Sequence, residues 1–357
     1  MAATKQPTAQ YLSLYGLRTA PFGLSPNPEC FYPAPSHQAA AKILKHAINN
    51  GEGFMVLTGR AGLGKTLILR RLLEGLDERK TPVLILSPAV NATGLLQLLL
   101  GEMGLEFNSQ TSMAELLQSF QSHVLKMAEE NRELFIIVDE AQNMPPQTLE
   151  QLRMLSNLET GKRKLMQILL IGQTGLEKVL TAPNLGQLVQ RIVVHEQLEP
   201  LNRSQVADYV TYRLKHAGGR GIQLSTSGCR LLHKASHGIP RLINRIMDRT
   251  LLLASLDATR RLSKRHVKTA ITTMKDINET RRKNKLIAVP LVVVFFFVVA
   301  ALIYILVFNR ASGVLPGITT TVPSTIQEKV QLNIPTICYA RMTEKFIFSF
   351  PPQGTAS

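Results

Sequence analysis

Cysteine, acidic residues and an apolar N-terminus are what this sequence has little of. Its 357 residues hold three cysteines, Cys30, Cys229 and Cys338, with no CxxC pair and no His/Cys cluster. That argues against a structural zinc site, and the odd count argues against a disulfide framework. Asp and Glu total 25 against 41 Lys and Arg, a formal net charge of +16. An excess of that sign favours an anionic partner, and nucleotide, nucleic acid and acidic lipid all qualify. The opening MAATKQPTAQYLSLYG has no signal-peptide core, so the front of the chain is expected to stay in the cytoplasm. Only 18% of residues are charged and 45% are apolar, which excludes a disordered polyelectrolyte and supplies core for two or three domains. Internal repeats and low-complexity tracts are also lacking.

One long apolar run is present. Residues 286–308 read LIAVPLVVVFFFVVAALIYILVF without a charge. As a helix, 23 residues reach roughly 34 Å, enough for a hydrocarbon core of about 30 Å. A single stretch can satisfy its backbone in lipid only as a helix. Pro290 falls in the first turn, where its missing N–H matters least. Arg281, Arg282, Lys283 and Lys285 precede the run, and only Arg310 follows before Lys329. The positive-inside rule places the N-terminal side in the cytoplasm and residues 309–357 outside, in the periplasm. Cys338 then cannot pair with the other two cysteines.

Ahead of that run the chain divides by pattern. Residues 1–50, rich in Pro and aromatics around PFGLSPNPECFYPAPSH, read as an extended lead-in on the nucleotide domain, ending in a short helix near Gln38–Asn49. Over 51–200, strand candidates Gly53–Thr58, Pro82–Ser87, Leu134–Asp139, Leu165–Ile171 and Arg191–Glu196 alternate with helical stretches. Such alternation predicts an α/β fold with a parallel sheet covered by helices on both faces. Over 201–276 only helical patterns remain: Ser204–Lys215, Ser225–Ser236, Pro240–Leu256 and Ser263–Lys275, a small all-helical lid. A basic segment, 277–285, leads into the candidate span.

The chemistry sits at strand ends. Gly59-Arg60-Ala61-Gly62-Leu63-Gly64-Lys65-Thr66 has the spacing of a P-loop, with GFMVLT before it as a buried strand and LILRRLLEGL after it as a helix. Glycines let several backbone N–H groups face one phosphate, and the helix start adds its positive dipole end. Lys65 suits the β- and γ-phosphates, and Thr66 suits Mg²⁺. This is the pattern of an ATP site formed by Gly59, Gly62, Leu63, Gly64, Lys65 and Thr66. The apolar run Leu134–Val138 ends in Asp139 and Glu140, the form of a Walker B strand. Asp139 would serve the metal, and Glu140 would polarise the attacking water. Gln173 ends a third strand and is a candidate sensor. Arg191 follows Gln190 at the mouth of the last strand. Arg241 lies in Gly238-Ile239-Pro240-Arg241, with Pro240 placed for a first helical turn. Guanidinium groups stabilise the charge that phosphoryl transfer spreads over the γ-oxygens.

With these residues in view the chain resembles the AAA+ ATPases, and more narrowly the general secretion pathway A (ExeA-like) group and its pilus-biogenesis relatives. The resemblance covers roughly residues 11–275. It rests on Tyr15-Gly16-Leu17, Pro21-Phe22, Pro26 and Pro28, Ser36-His37, the P-loop, and Val138-Asp139-Glu140-Ala141-Gln142. It rests also on the run Leu152–Thr160, on Leu170–Gln173, on Gln190-Arg191-Ile192 and on Gly238–Arg241. The resemblance implies that Arg191 is a finger acting on a neighbouring subunit's nucleotide and that Arg241 is the sensor arginine of the lid. It implies a homo-oligomeric ring, anchored in the bacterial inner membrane, that helps a membrane-protein partner assemble an envelope machine of the type II secretion or type IV pilus kind. Leu63 stands where Thr is usual, and Arg60-Ala61 departs from the usual Glu followed by a small residue; no phosphate ligand is lost. The outer tail of about 49 residues is too short for a peptidoglycan-binding domain with its own core. A DNA-associated ATPase of the transposition-regulator type shares the same core. The transmembrane run favours anionic lipid over nucleic acid as the partner of the basic cluster from Arg260 to Lys285.

Overall fold

A computed structural model describes residues 7–24, 30–108, 110–160 and 163–274. The candidate span 286–308, the basic segment 277–285 and the tail 309–357 lie outside the described residues. Among the described residues, no helix is long and apolar enough to cross a membrane.

Two helices open the chain: α1 (Pro7–Tyr15) and α2 (Pro35–Asn49). The nucleotide domain then runs β1 (Phe54–Gly59), α3 (Lys65–Glu74), β2 (Lys80–Ile85), α4 (Ala92–Glu102), α5 (Met113–Glu129) and β3 (Glu133–Val138). It continues with α6 (Pro146–Leu155), β4 (Met166–Gly172), α7 (Gly175–Leu180), α8 (Gly186–Val189) and β5 (Ile192–Leu198). The lid comprises α9 (Arg203–His216), α10 (Thr226–Ser236), α11 (Pro240–Leu256) and α12 over 264–274.

The five strands form one parallel sheet in the order β2-β3-β4-β1-β5. Every residue of β1 and β4 is buried, as expected of parallel strands covered on both faces. The period-two alternation of β1 divides between two cores. Phe54 and Val56 join Leu95, Leu99, Leu116 and Phe120 from α4 and α5 on one face. Met55 and Leu57 join Ala40, Leu44, Ile68 and Leu69 from α2 and α3 on the other. Helix α5 begins with a capping box between Ser112 and Glu115 and buries Leu116, Phe120, Val124 and Met127 along one stripe. Each such side chain contributes about 1.5–3 kcal/mol of burial. Pro82 in β2 donates no ladder bond, and β2 is accordingly an edge strand.

One polar residue interrupts the apolar run of β4. Gln167, 2% exposed, accepts from Lys80 Nζ and donates to Glu52 O at 2.9 Å. Lys80 also donates to Glu133 Oε2 at 2.8 Å. Every charge in this cluster is paired, which is the condition under which burying it is tolerable.

The lid has its own core, and the lead-in helps to build it. Residues 7–15, expected as extended chain, are helical. Tyr11 and Tyr15, one turn apart, point the same way into the core with Val206, Leu232, Ile243 and Met247. Tyr11 Oη donates to Asp248 Oδ1 at 2.6 Å, and Tyr15 Oη donates to Thr259 O at 3.0 Å. Burial pushes the Tyr15 phenol up to about 12, and burial together with Asp248 raises that of Tyr11, so both hydroxyls stay protonated donors. Helix α2, by contrast, packs on the sheet. The expectation that strands stop after Leu201 also needs correction: Gln223–Leu224 pairs in parallel with Arg261–Leu262. Two residues are too few for any periodicity to show.

Within the lid, the chain that enters α9 packs against Gly238, which has φ of +71°. A Cβ there would stand 2.0 Å from Leu201 O, and Leu201 N–H donates to Gly238 O at 2.9 Å. Gly238→Ala combines a left-handed backbone with a clash against main chain, so it should destabilise the fold by more than about 2 kcal/mol. Chemical denaturation of the variant beside the parent checks this; equal midpoints and slopes would refute it.

Candidate nucleotide site

The strand order creates the site. Parallel pairing sets the C-terminal ends of β1, β4 and β3 side by side, about 4.8 Å apart from strand to strand. The loop after β1 carries the Gly59–Thr66 motif, the residue after β4 is Gln173, and those after β3 are Asp139 and Glu140. Three segments separated by many residues in sequence thus converge on one edge, as the switch-point rule for open α/β sheets requires.

Lys65 is 7% exposed, and its ammonium donates back to Gly59 O at 2.8 Å and Arg60 O at 3.4 Å. Burial lowers its pKa, with Glu140 and Asp139 opposing. No side chain caps the start of α3, so its first amide donors point into the cleft. Gly62 has φ of +84°, and a Cβ there would come within 2.7 Å of Arg241 Cβ. Arg241 N–H donates to Gly62 O at 3.2 Å, which ties the lid to the loop. Leu63 is buried among the apolar residues beneath the loop and offers only its backbone.

The acidic pair is held as tightly. Glu140 N–H donates to Asp139 Oδ1 at 2.9 Å. Glu140 has φ of +51°, a region that costs a non-glycine residue about 1–3 kcal/mol. Its Oε2 accepts from Gln173 Nε2 at 2.9 Å and from Gln142 Nε2. Burial raises the Glu140 pKa, but those two hydrogen bonds and Lys65 outweigh it, leaving a carboxylate below its usual value. Asp139 moves the other way, raised by burial and by Glu140 despite its own bond to the Glu140 N–H and the nearby Lys65.

Gly62, Gly64, Lys65, Thr66, Asp139, Glu140 and Arg241 line one cleft of about 350 Å³. Gly59 serves it through the carbonyl that holds Lys65, and Gln173 through Glu140. Arg191 is not part of this cleft: it is exposed, and its Nη1 donates to Ser156 Oγ at 3.1 Å at the end of α6. An uncapped helix start, a loop of left-handed glycines and buried Lys65 fit an anionic phosphate chain. The hydroxyl of Thr66 and the carboxylate of Asp139 are hard oxygen donors that fit Mg²⁺.

Several residues around the cleft were not singled out from sequence. Tyr209, Arg213 and Asn244 from the lid and Gly23 and Leu24 from the lead-in complete its wall. Arg213 Nε donates to Pro21 O at 2.6 Å, and Asn244 Nδ2 donates to Gly23 O at 3.2 Å. The i, i+4 spacing of Tyr209 and Arg213 on α9 was the available signal, but it also describes any helix face.

The fold and the site together define a P-loop ATPase of the AAA+ class. The family described as AAA domain matches residues 48–180. General secretion pathway protein A of Aeromonas hydrophila is 38% identical over 244 residues, which cover 68% of this chain and 45% of that protein. This chain is an AAA+ ATPase related to that protein, and it spans less than half of the relative's length. Among solved structures, Cdc6p from Pyrobaculum aerophilum is 20% identical with a TM-score of 0.53, covering 69% of each chain. The Aeropyrum pernix ORC2 protein in its ADPNP–ADP complexes is 17% identical with a TM-score of 0.50, covering 68% of this chain and 67% of that one. At these identities the likeness establishes the fold alone.

His37, on α2, supports the loop from below. Its Nε2 lies 2.6 Å from Leu63 O, and a carbonyl can only accept, so Nε2 carries the proton. Its Nδ1 faces Ser36 Oγ at 3.2 Å. Burial lowers the His37 pKa, and the bond to Leu63 offsets this only in part. The unfolded chain therefore binds this proton more readily, so stability is full above about pH 6.5 and is lost as pH falls towards the depressed native value. His37→Gln keeps an N–H donor without the titration. Thermal melts across pH 7 to about 5 should show a shallower loss for this variant than for the parent; parallel profiles would count against the assignment.

Proposed function

We propose that this chain is a membrane-anchored ATPase that supports assembly of a cell-envelope machine of the type II secretion or type IV pilus kind. The observation that carries the reading is the 38% identity to general secretion pathway protein A over 244 residues. In this reading the loop amides, Lys65 and the start of α3 bind the β- and γ-phosphates of ATP, and Arg241 reaches the same phosphates from the lid. Thr66 and Asp139 hold Mg²⁺, which when bound neutralises charge on the phosphate oxygens. Glu140 polarises the attacking water, and Gln173 orients it through Glu140. Arg191, outside its own cleft and anchored to Ser156, serves the nucleotide of a neighbouring copy in a ring.

Residues 286–308 anchor the protein in the bacterial inner membrane, with the ATPase cytoplasmic and 309–357 periplasmic. The basic segment 277–285 lies against anionic lipid. Its charge continues in Arg260, Arg261, Lys264, Arg265 and Lys268, all exposed on the lid. Those exposed cations equally fit nucleic-acid phosphates, the one feature that favours a DNA-associated ATPase instead.

Three variants test the chemistry. Lys65→Ala should abolish ATP binding. Glu140→Gln should retain binding and lose turnover by about 100-fold or more. Arg191→Ala should be inactive alone and regain activity when mixed with Glu140→Gln subunits. Retained affinity in the first, full turnover in the second, or no recovery at any mixing ratio in the third would each remove the corresponding role. The anchor is tested by fractionation. The full chain should stay with membranes after an alkaline wash and be released when 286–308 is deleted. Binding to duplex DNA but not to phosphatidylglycerol vesicles would favour the alternative.

A further inference from the structure

Gln142 is the part of the acidic centre that the nucleotide reading leaves without a role. It stands two residues beyond Glu140, in a 3₁₀ turn over Ala141–Asn143. Its Nε2 donates to Glu140 Oε2, the same oxygen that Gln173 Nε2 reaches at 2.9 Å. Its Oε1 accepts from the backbone N–H of Gln173 at 2.9 Å. The orientation of the amide is therefore fixed by both partners: only oxygen can face an N–H, and only nitrogen can face a carboxylate. Glu140, Gln142 and Gln173 close a hydrogen-bonded ring between the turn after β3 and the end of β4. Among the described residues, no hydrogen-bond donor engages the other carboxylate oxygen, Oε1.

We propose that Gln142 is a positioning residue for hydrolysis: it fixes Glu140 Oε2, together with Gln173, so that Oε1 faces the cleft as the proton acceptor. The inference rests on the reading of Glu140 as the group that polarises water. In that step a water oxygen bonds to the γ-phosphorus, the bond to the bridging oxygen breaks to release ADP, and the water proton goes to Glu140 Oε1. One donor alone would leave the carboxylate free to swing about a single hydrogen bond. Two donors on one oxygen, one of them also anchored to the strand of its neighbour, remove that freedom and hold a backbone that already sits at φ of +51°. The arrangement also makes the base sensitive to the end of β4. A shift of Gln173 moves Gln142 through the backbone bond and Glu140 through both side chains.

The test uses the full chain and two substitutions, Gln142→Met, which keeps the length without a donor, and Gln142→Ala. Turnover, KM for ATP and the affinity for a fluorescent ATP analogue are measured in the parent and in the Glu140→Gln background. For both variants kcat should fall about 10–100-fold, the range for removing an outer partner of a functional group, while KM and affinity stay within about twofold. In the Glu140→Gln background the same substitutions should cause no further loss, because they act only through the carboxylate. A kcat within about twofold of the parent overturns the proposal. So does an affinity that falls as far as kcat, or a full additional loss in the Glu140→Gln background. If Glu140→Gln itself turns over at the parent rate, the reading of the base fails and this inference with it. If Glu140→Gln is inactive while Gln142→Met is fully active, this inference alone fails.

Discussion

The parallel pairing of β1, β4 and β3 is the constraint on which the rest depends. Hydrogen bonding between neighbouring strands fixes their spacing and registers Thr58 with Gly172 and Val138 with Leu170. The loop that curls around Lys65, the residue after β4 and the acidic pair after β3 must then emerge along one line. Because those strands are buried on both faces, a slip by one residue would push apolar side chains from one core into the other. The cores on the two faces therefore guarantee the geometry of a site to which they contribute almost no polar atoms.

What the sheet aligns, a second layer of contacts sharpens. Burial alone would raise both carboxyl groups, yet Asp139 and Glu140 move in opposite directions. The difference lies in their hydrogen-bond partners: Glu140 gains two amide donors on one oxygen, whereas Asp139 gains a single N–H from its neighbour. Adjacent carboxylates with separated ionisation behaviour suit separate tasks, one towards a metal and one towards water.

The lid and the lead-in form the third wall. Arg241 meets the loop through Gly62, while the segment from Arg18 to Gly23 is bound to the lid by Ala217, Arg213 and Asn244. Phe31, by contrast, lies under Arg71 of α3, with the guanidinium 4.5 Å from the ring centre.

The sequence by itself determined the elements whose signal is local. The P-loop motif, the apolar runs ending in Asp139 and Gln173, and the helix start at Pro240 are set by backbone preference and burial period, which act over a few residues. Five strands were legible to within about two residues at each end for that reason. Only the tertiary structure decided which strand ends adjoin, that residues 7–15 are helical and dock on the lid, and that Arg191 lies outside the cleft. Tyr11 meets Asp248 across 237 residues, and Gln173 meets Glu140 across 33. A tyrosine pair four residues apart gives no sign of what it packs against, and a glutamine two positions after a glutamate gives no sign of which way its amide turns. Those choices were made by strand order and by the space left between packed elements, which no local pattern encodes.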